Sequence, residues 1–317
     1  MDIRGAYDVR AATWDDLVSA ARVLAEDDLD DAGQVVLDTG FLRGQWEQPG
    51  FDLTTDAWVA VETAGQVVGY GQTTREAPGV AGSWGVVHPD HRGRGIGTAL
   101  FQRIETRAVE LVAGEPDARF RHSINASDEA AAALLRSRGL SLARHFWHMG
   151  IELPVADAGP LPAGIAITSL RSAADLREVH GVLEQAFAHH WGVRPQAFDD
   201  WAREQTMSPS YDPHLWRLAW EDGSLVGALV AVVHDGRGWV TLLGVRADCR
   251  SRGIASALLR HAFAGFVGCG VRSVLLAVDA ANATGATRLY EGVGMHVVKR
   301  FDIWERSVGG ATLSHLS

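Results

Sequence analysis

One pattern occurs twice in this chain, and it restricts the available folds more than any other feature. Val87-His88-Pro89-Asp90-His91-Arg92-Gly93-Arg94-Gly95-Ile96-Gly97 is answered by Val245-Arg246-Ala247-Asp248-Cys249-Arg250-Ser251-Arg252-Gly253-Ile254-Ala255, with Arg92 and Arg250 158 positions apart. Each copy reads as the end of a strand, a tight basic turn and the start of a helix. The helices carry apolar residues at helical spacing: Leu100, Ile104, Ala108 and Leu111 in the first, Leu258, Ala262 and Phe266 in the second. Val68-Gly69 and Val226-Gly227 recur at the same offset, and Gly139-Leu140 and Gly294-Met295 at an offset three residues smaller. A period this long, kept through strand, turn and helix, makes the chain two copies of one α/β unit.

The turns have a chemistry of their own. A helix N-terminus leaves about four backbone N–H groups without partners. Those groups and the helix dipole attract a phosphate. Glycine lets the backbone approach a ligand and take turn angles that a Cβ forbids. Arg92-Gly93-Arg94-Gly95-Ile96-Gly97 and Arg250-Ser251-Arg252-Gly253-Ile254-Ala255, followed by Ser256, fit Arg-x-x-Gly-x-Gly/Ala and are the candidate phosphate-binding residues. Neither turn has the Gly-x-Gly-x-x-Gly of a dinucleotide site or the Gly-Lys-Ser/Thr of a Walker loop.

Length and composition set the frame. The 317 residues suffice for two ordinary domains. No apolar run approaches the roughly 20 residues of a membrane span, and the first residues lack the apolar core of a signal peptide. Two cysteines, Cys249 and Cys269, make neither a disulfide framework nor a metal cluster, so a reducing cytoplasm is the expected compartment. The net charge of −10 argues against a nucleic-acid surface and favours cationic or neutral acceptors. The expected partner is a small molecule, with no nucleic acid and no membrane, and the expected assembly a monomer or homodimer.

Along the chain, residues 8–25 read as a strand and helix with Thr13 as N-cap and Asp16 three residues on. Residues 27–49 carry no clear order. Strands are expected at 56–62 and 66–72, joined by a turn at Ala64-Gly65, and at 83–87. A helix over 98–113, a strand at 119–125, a helix over 128–137 ended by Gly139, and a strand at 142–152 complete the first half. The Pro/Ala/Gly-rich stretch 154–164 reads as a linker between domains at 1–153 and 165–308, with a polar tail over 309–317. The second half repeats the order: a strand at 165–170, a helix over 172–188, strands at 215–220, 225–233 and 239–245, then 273–278, a helix over 284–291 and a strand at 297–305.

The turn motif resembles the pyrophosphate loop of the GNAT superfamily, the Gcn5-related N-acetyltransferases, whose pattern is Arg/Gln-x-x-Gly-x-Gly/Ala. The run Val278-Asp279-Ala280-Ala281-Asn282-Ala283-Thr284-Gly285-Ala286-Thr287-Arg288-Leu289-Tyr290-Glu291-Gly292-Val293-Gly294-Met295 is similar to the last helix of tandem GNAT proteins, in particular the mycothiol synthase-like group. The resemblance covers nearly the whole chain. It implies an α/β (α+β) fold of two tandem GNAT domains, each a mixed, largely antiparallel sheet flanked by helices. It implies acetyl-CoA or another acyl-CoA as donor, and no metal. It places Tyr290 over the cofactor sulfur as general acid, a backbone N–H around Leu243, Gly244 and Val245 on the thioester oxygen, and Asn282 beside the cofactor. Val86 and Val87 are the matching strand end in the first half.

The halves differ where chemistry is concerned. Four residues before Gly139 stands Leu135, which cannot donate a proton, so catalysis is expected in the C-terminal half. The first turn is open to two readings, a bound but unreactive acyl-CoA or a vestigial helix start. Mycothiol synthases carry a glutamate on the strand before the second turn, whereas this chain has Trp239, Val240 and Thr241, which leaves the general base unidentified. His189, His190 and Trp191 lie where GNAT proteins bind the acceptor, and a histidine there suits neutral pH. His234 and Asp235 read as an ordinary hairpin turn. Cys249, beside Arg250 at a helix start, is expected to have a lowered pKa, yet its counterpart is His91 and it reads as incidental.

The leading reading is an acyl-CoA-dependent N-acyltransferase moving acetyl to a primary amine of a small molecule. The alternatives are a catalytically silent acyl-CoA-binding sensor or subunit, mycothiol synthase proper, and transfer from an aminoacyl-tRNA, against which the acidic charge argues.

Overall fold

The computed structural model describes residues 6–154, 159–188, 190–193, 195–234, 236–281 and 285–309. Asn282 and Thr284, His189, Asp235 and the tail from 310 lie outside them. Two compact units are present, one of residues 1–146 and 299–317, the other of residues 147–298.

The first unit runs β1 (Tyr7–Ala11), α1 (Leu17–Ala32), α2 (Thr39–Trp46), α3 (Leu53–Asp56), β2 (Ala57–Glu62), β3 (Val67–Ala77), β4 (Val80–Val87), α4 (Ile96–Leu111), β5 (Arg119–Asn125) and α5 (Glu129–Ser137). It also takes the first part of β6 (Ser141–Glu152), up to residue 146, and β12 (His296–Ser307) from Lys299 on. Its sheet is ordered β1-β2-β3-β4-β5-β12, antiparallel except for the parallel pair β4–β5. Ile96, Leu100, Phe101 and Ile104 of α4 fill one face with Phe120, and Leu17, Leu24, Leu42, Trp46 and Tyr70 fill the other beneath α1 and α2.

The second unit runs from residue 147 of β6 through β7 (Ile165–Thr168), α6 (Ala173–Phe187), α7 (Phe198–Met207), β8 (Arg217–Glu221), β9 (Ser224–His234), β10 (Arg237–Val245), α8 (Ile254–Gly268), β11 (Ser273–Asp279) and α9 (Ala286–Gly292) to residue 298 of β12. Its sheet is ordered β7-β8-β9-β10-β11-β6, with β10–β11 the parallel pair. Leu258, Leu259, Phe263 and Phe266 of α8 pack on one face, and Val179, Val182 and Leu183 of α6 lie with Trp216 and Leu218 on the other. No helix among the described residues is long and apolar enough to cross a membrane.

The repeated Val-Gly pair has a packing reason. A Cβ on Gly69 would sit 3.0 Å from Leu100 and 3.1 Å from Ile96, and one on Gly227 would sit 3.2 Å from Leu258 and 3.3 Å from Ile254. In each unit the glycine is the floor on which the helix after the turn rests. The capping device at the start of the chain also forms: the Asp16 carboxylate accepts from the Thr13 backbone N–H and hydroxyl, both at 2.9 Å.

Three departures from the sequence reading have physical reasons. The unordered stretch 27–49 holds the end of α1 and all of α2, which Asp38 caps by accepting from the Phe41 N–H at 3.0 Å. α7 was not expected; of its residues only Trp201 is buried, so it carries little apolar periodicity. The compact units also differ from a linear division at the 154–164 stretch. Each closes its sheet with part of a strand from beyond it in sequence, because a strand is held by the open backbone edge it meets and not by its place in the chain.

Candidate functional site

In the second unit the sheet opens beside the second turn. β10 pairs with β11 only at Arg237↔Ser273, Gly238↔Val274 and Trp239↔Leu275. Beyond Trp239 the register of β10 on β9 shifts between Val240 and Leu242, a bulge with Thr241 as the extra residue. From there Leu242 to Val245 stay paired to β9, while their other edge carries no ladder to β11. That open edge holds Leu243, Gly244 and Val245, the residues expected to hold a thioester oxygen. In the first unit Gly79 and Val87 enclose one residue fewer than Gly236 and Val245, no bulge forms over 81–87, and β4 stays paired to β5 as far as Trp84↔Ser123.

The turn itself is built alike in both units. Gly93 and Gly95 have φ of 74° and 85°, and Ser251 and Gly253 have φ of 61° and 80°. Alternate left-handed residues turn the chain sharply into α4 and α8. Neither helix has a side-chain cap, and the first intrahelical bonds are Ala99 N–H to Gly95 C=O and Ala257 N–H to Gly253 C=O. The N–H groups of Ile96, Gly97 and Thr98, and of Ile254, Ala255 and Ser256, are therefore presented outward, as an anion site requires.

The arginines of the two turns have different partners. Arg250 donates from Nε to the Val245 carbonyl at 3.2 Å and from Nη2 to the Ala186 carbonyl at 3.5 Å, and no carboxylate among the described residues pairs with it. Arg252 is held bidentately by Glu221 at 2.9 and 2.5 Å, and this bond keeps the Glu221 carboxyl below the usual range. Arg92 likewise reaches the Val87 carbonyl at 3.4 Å, but its other nitrogens bind Asp30 at 2.6 Å and Asp27 at 2.9 Å. Arg94 donates to the Tyr7 hydroxyl and the Asp90 carbonyl.

Gly244 has a reason that the turn chemistry did not suggest. A Cβ there would lie 2.8 Å from the Ala186 Cβ and 3.0 Å from Leu183, so the glycine lets α6 lie against the open strand.

Tyr290 sits on α9 with its ring buried among the unit's core residues. Burial pushes its hydroxyl up to about 12, and that hydroxyl makes no hydrogen bond to another described residue. Tyr70 is the contrast: equally aromatic and buried, its oxygen accepts from Trp46 Nε1 at 2.7 Å and donates to Gln72 at 2.6 Å. A buried phenol that stays protonated at neutral pH and has no acceptor among the described residues can serve a bound group.

The other candidates separate. His190 is half-buried, its ring edge-on to Phe187 at 4.7 Å, and its Nδ1 is buried with no hydrogen-bond partner. Burial, and then the Arg250 charge, push its imidazole below the usual range against the pull of Asp279. It is thus neutral at pH 7 and able to accept a proton. Trp191 lies one residue on in the same turn. His234 Nδ1 meets the Ser210 hydroxyl at 3.0 Å. Cys249 departs from expectation: it is buried, and burial and then Asp248 push its thiol up. Trp239, at the position of the missing carboxylate, lies edge-on to His148 at 5.8 Å. The sequence reading passed over His148, because β6 belongs by order to the first half.

Known proteins bear on this site. A family model described as Acetyltransferase (GNAT) family matches residues 178–295, and another described as Acetyltransferase (GNAT) domain matches residues 54–139. Mycothiol acetyltransferase of Cellulomonas flavigena is 31% identical over 252 residues, covering 75% of this chain and 71% of that protein. The crystal structure of a GCN5-related N-acetyltransferase from Sphaerobacter thermophilus is 32% identical with a TM-score of 0.83, covering 98% of each chain. A tandem GNAT protein from the clavulanic acid biosynthesis pathway shares the fold at 18% identity, with a TM-score of 0.68 over 96% of this chain and 100% of that one.

Proposed function

The chain belongs to the GNAT acetyltransferase family, with two GNAT domains, and we propose that its second unit moves the acetyl group of acetyl-CoA to the primary amine of a small molecule. The observation that carries this assignment is the conjunction in one unit of a split sheet edge, an uncapped phosphate turn and a buried tyrosine ring whose hydroxyl makes no hydrogen bond to another described residue. The donor's pyrophosphate would rest on the N–H groups of Ile254, Ala255 and Ser256. Its acyl arm would take the edge of β10 that β11 leaves open, where backbone N–H groups of 243–245 can hold the thioester oxygen as it becomes an oxyanion.

The reaction forms a C–N bond from the amine to the thioester carbon and breaks the C–S bond. Tyr290 would donate a hydrogen bond to the departing sulfur. Full proton transfer from a hydroxyl near 12 to a thiolate of ordinary pKa about 8.5 would run uphill by about 5 kcal/mol. The stabilising act is therefore the hydrogen bond, and the proton that finally neutralises the thiolate comes from the amine nitrogen. His190, neutral and with a free ring nitrogen, is the described side chain best suited to relay that proton.

The relatives named mycothiol acetyltransferase point to a small-molecule acceptor, and the amine precursor of mycothiol is the first acceptor to try. Purified protein is incubated with acetyl-CoA and a panel of small amines including that precursor, and products are read by mass spectrometry. An acceptor gaining one acetyl group, with CoA released in equal amount, supports the reading. Acetyl-CoA binding without turnover on any amine favours the silent binding protein instead.

A further inference from the structure

α1 and α6 bury matching faces. Leu17, Ala20, Val23 and Leu24 are buried as Leu176, Val179, Val182 and Leu183 are, 159 positions on, and the left-handed Gly33 corresponds to Gly192. In this register Glu26, Asp27, Asp28, Asp30 and Asp31 correspond to Gln185, Ala186, Phe187, His189 and His190. Five carboxylates thus stand at the end of α1 where the corresponding stretch of the second unit has none, and two of them, Asp27 and Asp30, reach the first turn.

One of them forms a strap. Asp27 accepts from Arg92, on the turn after β4, at 2.9 Å, and from Asn125 Nδ2, at the end of β5, at 2.9 Å. It therefore joins the ends of the two parallel strands between which an acyl arm would have to enter. Lys299 lies behind it, 3.7 Å from Asp27 and 2.5 Å from Asp28. Asp30 takes the remaining nitrogen of Arg92 at 2.6 Å. In the second unit the residue matching Asp27 is Ala186, which offers Arg250 only a carbonyl. The backbone agrees independently, because β4 and β5 remain paired at Trp84↔Ser123, past the point where β10 and β11 part.

We propose that the first turn is closed by its own carboxylates, and that the chain binds a single acyl-CoA, in the second unit. A CoA pyrophosphate approaching the turn would find Arg92 already engaged by Asp27 and Asp30, with Asp27 held from behind by Lys299. The acyl arm would find the sheet zipped and strapped. The first turn is then an internal ion site that ties α1, β4 and β5 together. This inference rests on the acyl-CoA reading above.

The test is calorimetric titration of acetyl-CoA into the full chain and into Thr98→Glu and Ser256→Glu. These variants place a carboxylate at the same point of α4 and α8, where it suits the helix dipole and spares the fold, and where it repels a phosphate. The expected result is one site per chain, weakened at least tenfold by Ser256→Glu and less than twofold by Thr98→Glu, with unchanged thermal midpoints. Two sites in the wild type, or a site lost in Thr98→Glu, overturns the closed turn while leaving the acyl-CoA reading intact. No binding in the wild type overturns the acyl-CoA reading itself.

Discussion

Tyr290 and Leu135 hold the same position in the two units: each carbonyl accepts from the N–H five residues on, Met295 or Leu140, at 3.0 Å, across the left-handed glycine that ends the helix. The backbone is the same, and where the first unit has an aliphatic Leu135 the second has a phenol whose hydroxyl makes no hydrogen bond to another described residue. Tyr290→Phe is expected to keep the fold and lower kcat by about 10²-fold, the lower end of what one hydrogen-bond donor to a developing charge contributes. KM for acetyl-CoA should stay within about twofold, because the hydroxyl acts on the departing sulfur and not on the resting donor. Steady-state kinetics on both substrates decide it, and an unchanged kcat removes Tyr290 from the mechanism.

Gly244→Ala tests whether the open strand edge depends on the seat of α6. The added methyl would meet Ala186 at 2.8 Å and Leu183 at 3.0 Å, both on a packed helix. Overpacking of this kind costs about 1–3 kcal/mol. The expected outcome is a lower urea midpoint at constant m, with weakened acetyl-CoA binding as Arg250 loses its grip on the end of α6.

Ser251 holds a left-handed conformation, φ 61°, that its partner in the other turn gives to Gly93. An L-residue in that conformation costs about 1–2 kcal/mol, and a glycine costs about 0.4–1 kcal/mol through the unfolded chain. Ser251→Gly is therefore expected to stabilise the protein by up to about 1 kcal/mol, measured by chemical denaturation, with acetyl-CoA affinity held within twofold.

His122 gives a pH dependence. It is buried, its Nδ1 lies 2.7 Å from the Ser83 hydroxyl, and burial pushes its pKa down to about 3. The unfolded chain takes up a proton below about 6.5 and the folded one does not, so the stability this residue contributes is complete above 6.5 and is lost as pH falls toward 3. Its share is about 1.4 kcal/mol per pH unit in that window. His122→Gln should flatten the acid side of the stability curve by that slope, read from denaturation midpoints between pH 7 and 5.

Much of this architecture is legible in the residues. The turns, the helices after them and the hairpins follow from spacing and glycine placement, because these are local devices stated once in each unit. The closing of each sheet is not, because β6 and β12 are chosen by free backbone edges that no side-chain pattern records. The bulge at Thr241 is written as one extra residue between Gly236 and Val245, yet it reads as loop slippage until the ladder on β9 is known. The acids at 26–31 open a stretch that carries no clear order in the sequence, because nothing in α1 announces that Arg92 and Asn125 will come to meet Asp27. Gly244 reads as one of the strand residues beside the thioester, and its contact with α6 emerges only from the packing.

Lys299 is the only lysine in the 317 residues, and it is buried against Asp27 and Asp28. These residues then offer a reactive thioester no exposed lysine amine. A protein that handles an activated acyl group thereby keeps its one lysine out of reach of that group. The same scarcity leaves amine-directed labels no exposed lysine while the cage around Lys299 stays closed, so a label on Lys299 appearing under mild denaturant would time the opening of that cage.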